Sequence, residues 1–316
     1  MKILVVSGFL GAGKTTFIKE MSKQTGRDFV VMENEYAEAG MDRAFLEEEK
    51  QINVWQLTEG CICCSMKNDF ATSILTIANT LDPEYLIVEP TGIGVLSSVM
   101  ENIRQIEYER ITLLSPVTII DANTFARCMA EYRDIFQDQI AAAGTIVISK
   151  RSFADSEEAE RFCRRLRDIN PEADIRLEHY SKSDTSWWDM LLSTDYHGNV
   201  IHGPQNEESD LETLSIHDIS LTDPMQLLFI LEKLVQGQYG DIFRAKGVVK
   251  LSNCCLRFDV VDGMYSITGF EGEERCSGVF IGKHLKRNLL REIFIPNLCF
   301  QPTNRIRKRP QKYIFR

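Results

Sequence analysis

The sequence predicts an α/β fold, a mainly parallel sheet flanked by helices, followed by a small α+β C-terminal domain. Three observations carry this. Short apolar runs alternate with amphipathic segments through about residue 180, the pattern of a helix-covered parallel sheet. A glycine-rich turn follows the first run and opens a helical segment. After about Ser181 the pattern changes to hairpin-like strands, with Asp262-Gly263 as a strong turn signal. The expected division is 1–182, a linker over 183–212, and a second domain over 213–316.

Lys2–Ser7 reads as a buried strand rather than a secretory leader, because the apolar run is short and is broken by Gly8, Gly11, Gly13 and Lys14. A helix is expected from Thr15 to Thr25, ended by Gly26, then strands at Asp28–Glu33 and Ile52–Leu57. Lys67–Leu81 is helical by period, with Phe70, Ile74, Ile77 and Leu81 on one face, and Asp82-Pro83 breaks it. Tyr85–Val88 is a strand that delivers Glu89 to its C-terminal end. A helix over Val95–Tyr108 leads to a strand, Val117–Ile120, that ends at Asp121. Thr145–Ser149 and Asp174–Leu177 are strands, separated by a helix over Ser156–Asn170. Ser183–Asp210 is polar around an apolar island, Trp187-Trp188, and reads as a helix fragment and a linker. Beyond it come a helix (Pro224–Gln236), strands at Ala245–Leu251, Cys255–Val261, Met264–Gly269 and Gly278–Gly282, and a helix over Lys283–Phe294. Open parallel sheets bind ligands at the C-terminal ends of their strands.

Composition bounds the function. With 44% hydrophobic and 26% charged residues in 316, the chain is globular and long enough for two domains. A net charge of -10 argues against a general nucleic-acid binder. The charge is uneven: Lys283 to Arg316 holds ten Lys or Arg against one acid, Glu292, which reads as a solvated end or a docking surface for an acidic partner. No apolar stretch approaches the ~20 residues that span a bilayer, so no membrane partner is expected. Nine cysteines without regular spacing fit reduced thiols in a cytoplasmic protein better than a disulfide framework.

Gly8-Phe9-Leu10-Gly11-Ala12-Gly13-Lys14-Thr15 matches G-x-x-x-x-G-K-[ST] between a strand and a helix, the context of a phosphate-binding P-loop. The backbone of Gly8, Gly11, Ala12 and Gly13 would cradle phosphate oxygens, helped by the helix dipole. Lys14 would reach the β and γ phosphates, Thr15 would hold Mg²⁺ and Thr16 would contact the α phosphate. In Glu89-Pro90-Thr91-Gly92, the carboxylate can hold Mg²⁺ through water or orient the attacking water, and Gly92 can bring a backbone N–H to the γ phosphate. The plain alternative for Glu89, and for Asp121, is an ordinary strand-end acid.

Gly60-Cys61-Ile62-Cys63-Cys64 is the second strong signal. Three thiols so close can converge only in a turn, since strand alternation would point Cys63 and Cys64 apart. Thiolates suit Zn²⁺ or other soft to borderline ions, and three ligands leave a position open for transfer. A structural zinc with a distant fourth ligand, or redox or buried cysteines, are the alternatives; Cys254-Cys255 is treated as packing. The acidic segment Glu33-Asn34-Glu35-Tyr36-Ala37-Glu38-Ala39-Gly40-Met41-Asp42 lies where a nucleotide-sensing switch would sit. Glu35, Glu38 or Asp42 can complete the metal shell or the Mg²⁺ shell, or the segment is a solvated loop.

GFLGAGKTT, NEYAEAGMD, EGCICC, EPTG and VTIIDA, in this order, resemble the CobW-like metallochaperone GTPases, relatives of the urease and hydrogenase nickel-insertion GTPases. The resemblance is close to about residue 180, and Arg244-Ala245-Lys246-Gly247 is similar to the family's small C-terminal domain. It implies a cytoplasmic GTPase with Mg²⁺, whose Cys61, Cys63 and Cys64 bind Zn²⁺ or alternatively Co²⁺. Nucleotide state would gate delivery to a client metalloprotein, and a nucleotide- or metal-dependent dimer is compatible with it. It implies phosphate and Mg²⁺ roles for Lys14 and Thr15, an E-x-x-G element in Glu89 and Gly92, and a first switch at Asn34 and Glu35.

Two departures stand out. The guanine-reading N-K-x-D appears as Ser149-Lys150-Arg151-Ser152. Ser149 and Lys150 would then lie at the base, but losing a charged acceptor costs about 1.5–3 kcal/mol. Asp155 could substitute if the loop bends. GTP against ATP is therefore open, and the competing expectation is a P-loop ATPase that activates a cofactor-dependent enzyme, with a structural or redox cysteine cluster. The five His are isolated, so the family's His-rich loading tract is missing.

Overall fold

The first strand, β1 (Lys2–Gly8), is buried from Ile3 to Gly8, as a parallel strand covered on both faces must be. In the computed structural model, β1 lies within a sheet ordered β3-β2-β4-β1-β6-β7-β8. The structure describes residues 1–33, 52–56, 67–150, 153, 155–197, 200–201, 212–251, 254–261, 263–270 and 276–295. The other strands are β2 (Phe29–Glu33), β3 (Ile52–Gln56), β4 (Tyr85–Glu89), β5 (Thr112–Leu113), β6 (Val117–Asp121), β7 (Thr145–Ser149) and β8 (Asp174–Arg176). β5 pairs with the start of β1, and every pairing in this sheet is parallel. Parallel strands need crossovers, and helices supply them.

Period-two alternation divides the core. Leu4 and Val6 of β1 face one side, where α1 (Lys14–Thr25) lies, while Ile3 and Val5 face α2 (Lys67–Thr80) and α3 (Leu96–Arg104). α4 (Phe125–Glu131), α5 (Arg133–Ala141) and α6 (Ser156–Arg167) pack on β6 and β7 through Phe125, Phe136, Ile140 and Phe162. α7 (Thr185–Leu191) packs beside α1, with the Phe17 ring 5.2 Å from Trp188 and 5.1 Å from Tyr180. The helix fragment expected to open a linker is therefore core: Trp188 and Leu192 are fully buried. Residues 202–211 lie outside the described residues.

Several boundaries shift for local reasons. Leu81 is 50% exposed, because α2 ends at Thr80 and Asp82 takes a left-handed turn. α3 stops at Arg104, well short of Tyr108, which instead closes a turn with Ile111; the Glu107 carboxylate accepts from the Leu113 N–H. α6 stops before Asn170, whose side-chain amide donates to the carbonyls of Ile140, Ala141 and Ala143 at the end of α5. α4 and α5 were not anticipated.

The second unit is an antiparallel sheet, ordered β12-β11-β10-β13-β9. Its strands are β9 (Glu212–His217), β10 (Asp241–Lys250), β11 (Cys255–Val261), β12 (Met264–Phe270) and β13 (Ser277–Lys283). α8 (Pro224–Val235) and α9 (Arg287–Phe294) bury Leu227, Leu231, Leu290 and Phe294 against it. β9 was not anticipated, and β10 starts at Asp241 with a register shift between Ile242 and Arg244.

Candidate nucleotide and metal site

The phosphate loop runs from the end of β1 into α1. Gly8, Gly11 and Gly13 all have positive φ (145°, 72° and 99°), a region costly for other residues. Gly13 stands at the N-cap of α1 and has no side chain to cap that end. The first-turn N–H groups therefore gain no acceptor from their N-cap residue and suit an anion.

Three side chains chosen from the sequence converge there. Lys14 is 8% exposed, and its Nζ lies 3.9 Å from Oε1 of Glu89. The Thr15 hydroxyl donates to Glu89 at 3.2 Å. Thr15 and Glu89 are hard oxygen donors, the chemistry Mg²⁺ takes up. Thr16 is exposed on the helix.

Gly92 brings the second loop against the first: a Cβ there would stand 2.5 Å from the Leu10 nitrogen. Gln139 of α5 fixes that loop, donating to the carbonyls of Gly92 (3.1 Å) and Gly94 (3.0 Å). Asp138 beside it accepts from the Ser97 N–H (3.0 Å) and hydroxyl (2.6 Å) at the start of α3.

Ser149 and Lys150, expected at the nucleotide base, brace the phosphate loop. The Ser149 hydroxyl donates to the Ala12 carbonyl at 2.6 Å, and Lys150 Nζ donates to the Gly11 carbonyl at 2.6 Å. Lys150 has a positive φ of 46°, a conformation enriched at functional sites. Asp121 pairs with it at 3.3 Å and accepts from the Asn123 N–H. Asp155, offered as a substitute base acceptor, instead caps α6 by accepting from the Glu158 N–H at 2.8 Å. Arg151 and Ser152 lie outside the described residues.

Cys61, Cys63, Cys64, Asn34, Glu35, Glu38 and Asp42 also lie outside the described residues. What the structure adds is Glu33, a buried carboxylate in register with Glu89 on the adjacent strand. Phe29 and Val31 share a core with α1, so alternation puts Glu33 on the α1 side. Its place at the head of an acidic run disguises it in the sequence, although period-two spacing from Phe29 marks its face. Among the described residues, no group of three His, Cys, Asp or Glu could hold a metal ion. Cys128 and Cys163 are buried. Cys255 and Cys276 have sulfurs 3.8 Å apart, and burial, aided by Cys255, pushes the Cys276 thiol up to about 11, away from thiolate.

The C-terminal sheet reaches this site. Phe9 of the phosphate loop stacks on Tyr132 (4.9 Å), and Tyr132 meets Phe243 of β10 edge-on (4.8 Å). Lys283 of β13 donates to the Glu131 carbonyl at 3.4 Å, a cation at the C-terminal end of α4.

Comparison with known proteins agrees with this architecture. Residues 2–176 match the CobW/HypB/UreG nucleotide-binding domain, and residues 211–295 match the cobalamin synthesis protein cobW C-terminal domain. The chain is similar to the zinc chaperone YjiA of Escherichia coli, 25% identical over 315 residues, covering 92% of this chain and 97% of that protein. It is also similar to the zinc-regulated GTPase metalloprotein activator 1 of Dictyostelium discoideum, 24% identical over 78% of this chain and 62% of that protein. Among solved structures, Zn(II)-bound YjiA GTPase from E. coli aligns over 93% of this chain and 98% of its own, with a TM-score of 0.47 and 21% identity. With the nucleotide-binding model covering more than half of its length and the C-terminal model most of the rest, the chain belongs to the CobW/HypB/UreG family.

Proposed function

We propose that this protein is a GTP-dependent metallochaperone that binds a transition metal, zinc before cobalt, at Cys61, Cys63 and Cys64 and delivers it to a client metalloprotein. The observation that carries the reading is the convergence of Lys14, Thr15, Glu89 and Gly92 on one phosphate loop, with Glu33 in register beside Glu89. The cysteines belong to the connection between the C-terminal end of β3 and α2. β3 is parallel to β2, whose end carries Glu33, so that connection leaves the same sheet edge. The relatives' zinc-chaperone names support the choice of metal.

In hydrolysis, water would attack the γ phosphorus and the bond to the β–γ bridging oxygen would break. Lys14 offsets charge on the phosphates, and Glu89 orients the water or a Mg²⁺ ligand. Mg²⁺, held by Thr15, supplies charge neutralisation when bound. Glu35 is assigned to the metal shell, where it would link the first switch to the cysteines. Replacing Cys61, Cys63 and Cys64 together by Ala is expected to abolish zinc in the purified protein while leaving nucleotide affinity nearly intact. Metal analysis of both proteins checks this; an unchanged zinc stoichiometry would sink the proposal.

A second reading, a P-loop ATPase activator with a structural cysteine cluster, draws on the base end. There Ser149 bonds the loop and Asp155 caps its own helix. In competition against a fluorescent nucleotide, GTP is expected to displace it at lower concentration than ATP. ATP winning would favour the second reading.

A further inference from the structure

β10 carries a device that the nucleotide-binding domain alone would lack. Ile242 and Ala245 both lie in the C-terminal core, although regular alternation would put residues three apart on opposite faces. The register shift between Ile242 and Arg244 resolves this, as β-bulges do when they re-aim a side chain. Phe243 is thereby turned into the aromatic cluster under the phosphate loop, against Tyr132. Arg244 is turned onto the loop itself: its guanidinium nitrogen lies 3.3 Å from where a Cβ on Gly11 would stand, as does Cγ1 of Val261, its partner on β11. Gly11 is also the residue whose carbonyl accepts from Lys150.

We propose that Arg244 is a positioning residue for the phosphate loop, supplied in cis by the C-terminal domain, so that nucleotide occupancy and the seating of that domain are coupled. The inference rests on nucleotide binding at this loop, as proposed above. Arg244 adds a third cation at the loop, beside Lys14 and Lys150. A triphosphate would draw the loop and the guanidinium together. By linkage, whatever Arg244 adds to nucleotide affinity, nucleotide adds to the seating of β10.

The test uses the full chain with Arg244→Gln and Arg244→Lys. Two things are read: affinity for a fluorescent GTP analogue, and hydrogen exchange of β10 and β11 with and without nucleotide. Wild type is expected to bind the analogue and to show slower exchange in β10 when it does. Arg244→Gln is expected to bind about tenfold more weakly and to lose that nucleotide-dependent slowing, and Arg244→Lys to restore part of both. A purely structural arginine would change exchange equally in both nucleotide states. Should Arg244→Gln prove unstable, Arg244→Lys carries the test alone: wild-type affinity with the slowing abolished, or a tenfold loss of affinity despite the retained charge, would each overturn the charge argument. Arg244→Gln with wild-type affinity and wild-type slowing overturns the inference alone. Wild type that binds no nucleotide overturns the functional reading and the inference with it.

Discussion

Lys14→Ala is expected to reduce affinity for the triphosphate by about 10- to 150-fold, the equivalent of one hydrogen-bonded charge at about 1.5–3 kcal/mol, and to reduce turnover at least as much. The ammonium is almost wholly buried, and its carboxylate neighbour Glu89 is 3.9 Å away. That arrangement pre-places the cation beside the loop, so its contribution is made without reorganisation when phosphate arrives. The thermal midpoint without nucleotide should fall as well, since removing one partner of a buried ion pair leaves the Glu89 carboxylate desolvated without its cation. Titration with a fluorescent GTP analogue and phosphate-release kinetics check the result. Wild-type affinity in Lys14→Ala would remove the phosphate loop from the mechanism.

Gly92→Ala is expected to lower nucleotide affinity more than tenfold while leaving the circular-dichroism spectrum unchanged. The added methyl would stand 2.5 Å from the Leu10 nitrogen and 2.7 Å from its Cα, both backbone atoms of the phosphate loop. Overpacking of this kind costs about 1–3 kcal/mol, and here one of two loops must move. The loop after β4 is pinned by Gln139 at both Gly92 and Gly94, so displacement would fall partly on the phosphate loop. Gly269→Ala is the control, because a Cβ at Gly269 meets nothing within 4 Å. Equal affinities for wild type, Gly92→Ala and Gly269→Ala would show that this close approach has no bearing on the nucleotide.

Much of the parallel sheet was legible because its strands are short, mostly apolar and, β3 apart, bounded by Gly, Asp or Pro. α4 and α5 were not. Tyr132 breaks the helical path with a φ of -131°, and polar residues sit on the buried side of α5. Asp138 and Gln139 look like solvent-facing residues until their partners, the start of α3 and the Gly92 loop, are known. Phe125, Cys128, Tyr132, Ile135 and Phe136 do carry the helical spacing, and that signal was available. The polar composition of 183–210 likewise hid that its expected helix fragment belongs to the core, where two tryptophans pack around Phe17.

At the site, sequence alone determined the phosphate loop, its lysine and threonine, the acid that ends β4 and the glycine that follows it. These sit at strand ends, where contiguous residues of known type are enough to specify a turn, a charge and a donor. Tertiary structure alone decided the rest. It placed Ser149 and Lys150 on the loop's carbonyls, put Glu33 beside Glu89, and consumed Asp155 in a helix cap. It also brought Phe243 and Arg244 from the C-terminal sheet to Tyr132 and Gly11. The physical reason is separation along the chain. A helix or a turn is set by neighbours within a few residues, whereas a contact between Gly11 and Arg244 depends on how two sheets pack and on a bulge that inverts which face of β10 looks outward.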